Sequence, residues 1–289
     1  MKIRKLDHRA QPELYNLLTQ NTTLNLFLLE RLFLKGIQSW GQELWFGVYQ
    51  QDKLTSVSLV MGKSKPNNSA RLIATYGTLE GCRLLGKYAA QHGGTVMIVG
   101  PRAESDSFVQ GLGNPLLRLN HPQQLYSCVA PTQGPQIQIR AADKDDLEQL
   151  IVYSAEMMAE ELNENPLDIN PKRHRDIVQT RINNRRTWVG ELRRGGAAEI
   201  GFVLDIGFVI PLGVQVGGTF VPKHLRGQGL SKAGMRASCS KLLKSCKEVT
   251  LHVNERNIPA VRCYEGVGFI KKFPYRLAAI EPQSPPQRI

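Results

Sequence analysis

The sequence predicts an α/β (α+β) chain made of two lobes of similar topology. Three observations carry that prediction. Pro131-Thr-Gln-Gly-Pro135 punctuates the chain near its middle with two prolines in five residues. One order of elements, β-α-α-β-β-β-α-β-α-β, can be read on both sides of it. A length of 289 residues with 42% hydrophobic content suffices for two cores and excludes disorder as the main state.

In the first lobe, residues 2–6 alternate as a strand and two helices fit between residues 11 and 35. Strands are expected near 44–49, 54–61 and 71–76, followed by a helix over 79–90 and a strand at 95–99. A short helical stretch near Asp106 and a strand near 124–130 complete it. The same order with little sequence identity points to an internal structural duplication.

After the linker, residues 136–140 alternate as a short strand. Asp143 can cap a helix whose third position, Asp146, suits the positive end of the dipole, and that helix should reach about Glu161. Pro171 fits the first position of a second helix, running to about Ile182. Strands follow at 187–192, 199–206 and 214–221, then a helix at 230–246, a strand at 249–253, a helix at 257–265 and a last strand at 269–279. Three prolines in 281–289 predict a loose tail. The expected domains are therefore 1–130 and 136–280, joined by the linker 131–135.

The formal charge is +12, divided evenly between the two parts and not gathered in an arm. Such a balance admits nucleic acid, a membrane surface or an anionic small molecule as partner, and says nothing about fold. The densest cluster, Lys172, Arg173, Arg175, Arg181, Arg185 and Arg186, reads first as a solvated helix face and second as a phosphate-contacting patch. Cys82, Cys128, Cys239, Cys246 and Cys263 show no C-x-x-C pair and no zinc-ligand spacing, so no metal is expected and reduced thiols are. The polar start lacks the apolar core of a signal peptide, and no apolar run approaches the ~20 residues of a membrane span. These features predict a cytoplasmic protein.

The stretch that carries chemistry is Arg226-Gly227-Gln228-Gly229-Leu230-Ser231, between a strand and a long helix. Glycines let a ligand approach backbone amides without meeting a Cβ, and the helix start adds unsatisfied N–H groups and a positive dipole end. Together these suit a phosphate or pyrophosphate. Downstream, Asn257, Ala260 and Tyr264 recur at i, i+3 and i+7 on one face of a short helix, and Gly268-Phe269 leads into the last strand.

The two segments together resemble the GNAT superfamily of acyl-CoA-dependent N-acetyltransferases. The first matches its Arg/Gln-x-x-Gly-x-Gly/Ala loop, and the second matches Asn-x-x-Ala-x-x-x-Tyr-x-x-x-Gly-Phe. The whole chain resembles bacterial tandem proteins in which an acetyltransferase-like lobe precedes the working one. The resemblance implies two GNAT-like lobes, each a mixed, mostly antiparallel central sheet flanked by helices. It implies acetyl-CoA as cosubstrate, with the amides of Arg226 to Ser231 on its pyrophosphate. The strand edge at Phe220 and Val221 would bond the pantetheine arm, and Asn257 would contact the arm from the other side. Ser231 departs from the usual Gly or Ala but is small enough to be tolerated, with Gly229 indispensable. The first lobe has neither segment; Gly77-Thr-Leu-Glu-Gly81 stands where the loop would be, and that lobe is expected to have lost cofactor binding.

Acetyl transfer to an amine requires a neutral amine and a proton for the departing thiolate. A phenol holds its proton at neutral pH, which makes Tyr264 the candidate general acid. Deprotonating a lysine-type amine at pH 7 costs about 4.6 kcal/mol, against about 1.4 for an α-amine, so a lysine-type acceptor needs a base. The strand at 214–221, a common family position for a catalytic Glu, has no carboxylate. Glu156, Glu160, Glu161, Asp205 and His252 are the alternatives, and the sequence selects none. An acetyl-CoA sensor or structural module without turnover is the second reading. Nucleic-acid binding through the basic cluster, which predicts steep salt dependence, ranks last.

Overall fold

A computed structural model describes residues 1–38, 41–62, 70–91, 95–162, 164–194 and 197–280. The expected tail at 281–289 lies outside the described residues. Contacts divide the chain into two compact units. The first comprises Met1–Tyr126, His252–Asn257 and Lys271–Ile289; the second comprises Ser127–Leu251 and Ile258–Ile270.

In the first unit, β1 (Lys2–Lys5) is followed by α1 (Gln11–Thr19) and α2 (Leu26–Lys35), then by β2 (Glu43–Gln50), β3 (Lys53–Met61) and β4 (Ala70–Gly77). Helix α3 (Leu79–Ala90), strand β5 (Thr95–Pro101), helix α4 (Arg102–Gly111) and strand β6 (Leu117–Cys128) complete the N-terminal run. The sheet runs antiparallel from β1 through β4, and β4 lies parallel to β5. The other edge of β5 takes the last strand of the chain, β12 (Ile270–Ile280), with Tyr275 opposite Pro101 and Ile280 opposite Val96. That pairing satisfies a row of β5 amides and carbonyls that an open edge would leave exposed. It also brings Ile280 into a core with Val48, Ile73, Leu85, Ile98 and Phe108.

The second unit has β7 (Ile139–Ala141), α5 (Leu147–Leu162), a one-turn helix α6 (Pro166–Ile169) and α7 (Pro171–Asn183). Strands β8 (Thr187–Arg194), β9 (Ala197–Ile210) and β10 (Gly213–Phe220) follow, then α8 (Leu230–Leu242), β11 (Val249–Asn254) and α9 (Ile258–Val267). Strands β7 to β10 are antiparallel, and β10 runs parallel to β11. Each unit is thus the expected mixed, mostly antiparallel sheet flanked by helices. Leu147, Leu150, Ile151, Val178, Ile182 and Val203 form the core beneath α5 and α7, and burying each such side chain is worth about 1.5–3 kcal/mol.

The cap ahead of α5 is a reciprocal box. Asp143 accepts from the Asp145 N–H at 2.9 Å, and the Asp143 N–H donates to Asp146 at 2.8 Å. Arg140 then grips Asp146 through two nitrogens, at 2.6 and 2.9 Å. Helix α8 is shorter than its sequence pattern predicts. The Ser245 hydroxyl and the Cys246 thiol both donate to the Leu242 carbonyl, at 3.1 and 3.3 Å, and that competition ends the helix.

Candidate functional site

Between β10 and α8 the chain makes an open turn over residues 221–229. Gly227 and Gly229 take left-handed φ values of 78° and 76°, and a Cβ built on either would meet nothing within 4 Å. Gly229 is the N-cap of α8, and no side chain caps it. Thirteen residues of helix therefore present their positive end and first-turn amides to an open cradle, which fits an anionic phosphate.

The side chains around the turn hold it in place. The Arg226 guanidinium donates to the Val221 carbonyl at 3.0 Å and to both carboxylate oxygens of Glu160 on α5, at 3.0 and 2.9 Å. It also lies 5.5 Å from the Phe220 ring centre. Arg226 thus ties the turn to α5. The Ser231 hydroxyl sits 3.0 Å from the Cys263 sulfur on α9, so the residue that departs from the family pattern links two helices. Leu230 is buried, and Gln228 is exposed.

Strand β10 breaks its register with β9 twice, between Gln215 and Val216 and between Gly217 and Phe220. Its parallel pairing with β11 covers Val214 with Val249 and Gln215 with Thr250, and among the described residues it goes no further. The remainder of β10 therefore has a free edge facing the fork. The Thr219 hydroxyl on this stretch donates to the Met235 sulfur on α8 at 3.9 Å and lies beside the phenol of Tyr264 on α9. Burial pushes that phenol up to about 12, with the Cys263 and Glu161 charges adding and the Thr219 hydroxyl opposing. Tyr264 is therefore fully protonated at neutral pH.

The structure brings Phe220, Val221, the turn Arg226 to Ser231 and Tyr264 together in the second unit. Asn257 belongs to the segment that groups with the first unit, where its N–H donates to the Asn254 carbonyl at 2.9 Å. Of the alternative bases, Glu160 is engaged by Arg226 and by Lys223, at 3.6 Å. Burial raises the Glu161 carboxyl, and the adjacent Glu160 charge raises it further. Glu156, half-buried on α5, adds its charge to the electrostatic surroundings of Tyr153. His252 stacks on Tyr275 at 4.1 Å, and burial lowers it to about 4. Its Nε2 has no partner among the described residues. Asp205 on β9 is largely buried; Arg181 bonds it at 2.8 Å and the Thr187 hydroxyl at 2.6 Å. Sequence reasoning missed Thr219 and the forked stretch, although the Gly217-Gly218 pair inside a strand is a bulge signal.

The equivalent turn in the first unit is closed. Only Thr78 separates β4 from α3, and its hydroxyl oxygen accepts from the Gly81 N–H at 3.2 Å, filling the helix start. A Cβ on Gly77 would run into the Thr55 carbonyl. Strands β4 and β5 pair from Ala70 to Ala74, and a Cβ on Gly100 would still lie 3.2 Å from the Thr75 carbonyl oxygen.

Among the described residues no group of three or more His, Cys, Asp or Glu side chains is placed to hold a metal, and no helix is long and apolar enough to cross a membrane. All five cysteines are free. In the basic cluster, Arg175 pairs with Glu148, Arg181 with Asp205, and Arg186 donates to the Gly207 carbonyl.

Comparison with known proteins places residues 155–269 in a family model described as the acetyltransferase (GNAT) family. No curated protein matches the chain in sequence. Among solved structures, a GCN5-related N-acetyltransferase from Sphaerobacter thermophilus has a TM-score of 0.62 at 16% identity, covering 98% of this chain and 96% of that one. A tandem GNAT protein from the clavulanic acid biosynthesis pathway has a TM-score of 0.57 at 11% identity, covering 98% and 99%. A GNAT-family acetyltransferase from Colwellia psychrerythraea has a TM-score of 0.54 at 12% identity, covering 97% and 100%. At these identities the likeness is one of fold over the full length.

Proposed function

We propose that the chain, whose residues 155–269 match the acetyltransferase (GNAT) family model, transfers an acetyl group from acetyl-CoA to a primary amine directly, in a ternary complex. The observation that carries this reading is the open, uncapped start of α8 beside the fork of β10, with a protonated Tyr264 against the same stretch of strand.

The amides from Arg226 to Ser231 bind the pyrophosphate, and Arg226 holds their turn against α5 through Glu160. The free edge of β10 at Phe220 and Val221 bonds the pantetheine arm. Tyr264 gives its proton to the departing sulfur as the C–S bond breaks, and the surplus proton on the newly acylated nitrogen restores the phenol.

Release of free thiol with a panel of small amines, amino acids and peptides tests the reading. Tyr264→Phe should lower kcat by about 10²–10⁴ while leaving acetyl-CoA affinity unchanged, and unchanged turnover removes Tyr264 from its role. The second reading, a binding module without turnover, draws on the absence of a carboxylate in β10; it predicts acetyl-CoA binding without thiol release.

A further inference from the structure

Helix α9 carries Tyr264 in its last turn, and the carbonyls of that turn, from Tyr264 to Val267, have no partner within the helix itself. Two of these four are satisfied locally: the Phe269 N–H donates to the Tyr264 carbonyl and the Gly268 N–H to the Glu265 carbonyl, both at 3.0 Å. The other two are satisfied from a distant part of the sequence. Thr132 donates its N–H to the Val267 carbonyl at 2.7 Å and its hydroxyl to the Gly266 carbonyl at 2.9 Å. Arg236 on α8 completes the set. Its Nη2 donates to the same Gly266 carbonyl at 3.1 Å, and its Nε donates to the Thr132 hydroxyl oxygen at 3.2 Å.

The approach is close on both sides of Thr132. A Cβ on Gly268, whose φ is 108°, would lie 3.0 Å from the Ala130 carbonyl oxygen and 3.2 Å from the Thr132 nitrogen. A Cβ on Gly134 would lie 2.8 Å from the Arg236 Cζ. Residues 131–135, which the sequence predicts as a linker, therefore cross the end of α9 as a strap, with the Arg236 guanidinium against them. That cation also meets the negative end of the helix dipole.

We propose that Thr132 and Arg236 are positioning residues for acetyl transfer: by closing the end of α9 they hold the Tyr264 phenol beside Thr219 on β10. The proposal rests on the acetyl-transfer reading above, with Tyr264 as proton donor. Tyr264 and Gly266 share one helical turn, so a Gly266 carbonyl stripped of its two donors loosens the turn that carries the phenol. Misplacing a reacting group by about 1 Å costs up to about 10²-fold in rate. The start of α8 has its own support, from Arg226 to the Val221 carbonyl and to Glu160, so acetyl-CoA binding does not depend on the strap.

The test removes both side-chain donors at once, as Thr132→Val with Arg236→Met, and follows thiol release with the amine panel above. Turnover should fall at least about tenfold, with acetyl-CoA affinity by calorimetry within about twofold of wild type. Thr132→Ser with Arg236→Lys keeps a hydroxyl and a cationic donor and should restore turnover to within about threefold. Because the two side chains act through Tyr264, the same paired change made in Tyr264→Phe should lower turnover by less than about twofold further. No loss with Tyr264 present, or an equal loss in both backgrounds, overturns the proposal. Thr132→Val alone, at an exposed position, should lose about threefold with the same dependence on Tyr264, and a loss independent of Tyr264 counts against it. Amide hydrogen exchange reads the strap without turnover: the Gly268 and Phe269 N–H groups should exchange at least about tenfold faster in the paired variant, and unchanged exchange overturns the strap. A wild-type protein that releases no thiol with any amine overturns the acetyl-transfer reading whatever the exchange shows, and the positioning role falls with it.

Discussion

Gly229 and Ser231 sit two residues apart in the same turn and answer to different constraints. Gly229 holds φ at 76° over open space, so a side chain there is strained by the backbone and intrudes on the cradle. Ser231 faces Cys263, away from that space. Ser231→Ala should therefore change acetyl-CoA affinity less than about twofold by calorimetry, because a lone hydroxyl–thiol contact is worth little. Tyr264 and the two glycines were legible because their chemistry needs a residue type at a fixed spacing. Asp205 was one of five candidate bases that the sequence could not rank, since one carboxylate in a strand looks like any other.

At the scale of elements, hydrophobic periodicity located nearly every strand and helix, and the misses have local causes. Helix α6 is a single turn, capped by Asn165 through the Leu167 N–H at 3.1 Å, and four residues are too few to show a period. Helix α8 ends early through Ser245 and Cys246, which a period cannot register. The cap ahead of α5 was visible as Asp143 and Asp146, and its weight can be measured. Asp146→Asn should cost about 1–2 kcal/mol in urea denaturation at pH 7. Although burial works against it, bonds from Arg140 and the Asp143 N–H hold the Asp146 carboxyl below its ordinary 3.8, so this contribution is full above that value and disappears as pH falls below it. Strand β11 adds a second dependence. His252 is neutral in the fold, lowered from 6.5 to about 4, so the unfolded chain binds the extra proton between those values. Stability should drop by about 2 kcal/mol between pH 7 and pH 5, and His252→Phe should flatten that drop.

For the whole molecule, the sequence predicts a duplication, and the two units differ at the turn where the phosphate cradle is proposed. In the first unit a threonine side chain occupies the helix start and the neighbouring strands stay together; in the second a glycine turn leaves the start open and β10 forks. The exchange of β12 to the edge of β5 was illegible because edge pairing is a long-range contact that no local pattern encodes. Part of the positive charge now has internal work, in Arg140, Arg175, Arg181 and Arg226, which bind carboxylates of their own chain. The most direct test of the account is a calorimetric titration of acetyl-CoA into the wild-type chain and into Gly229→Val. The account predicts one equivalent per chain and a loss of at least tenfold in affinity for the variant; two equivalents, or a variant that binds as tightly as the wild type, would contradict it.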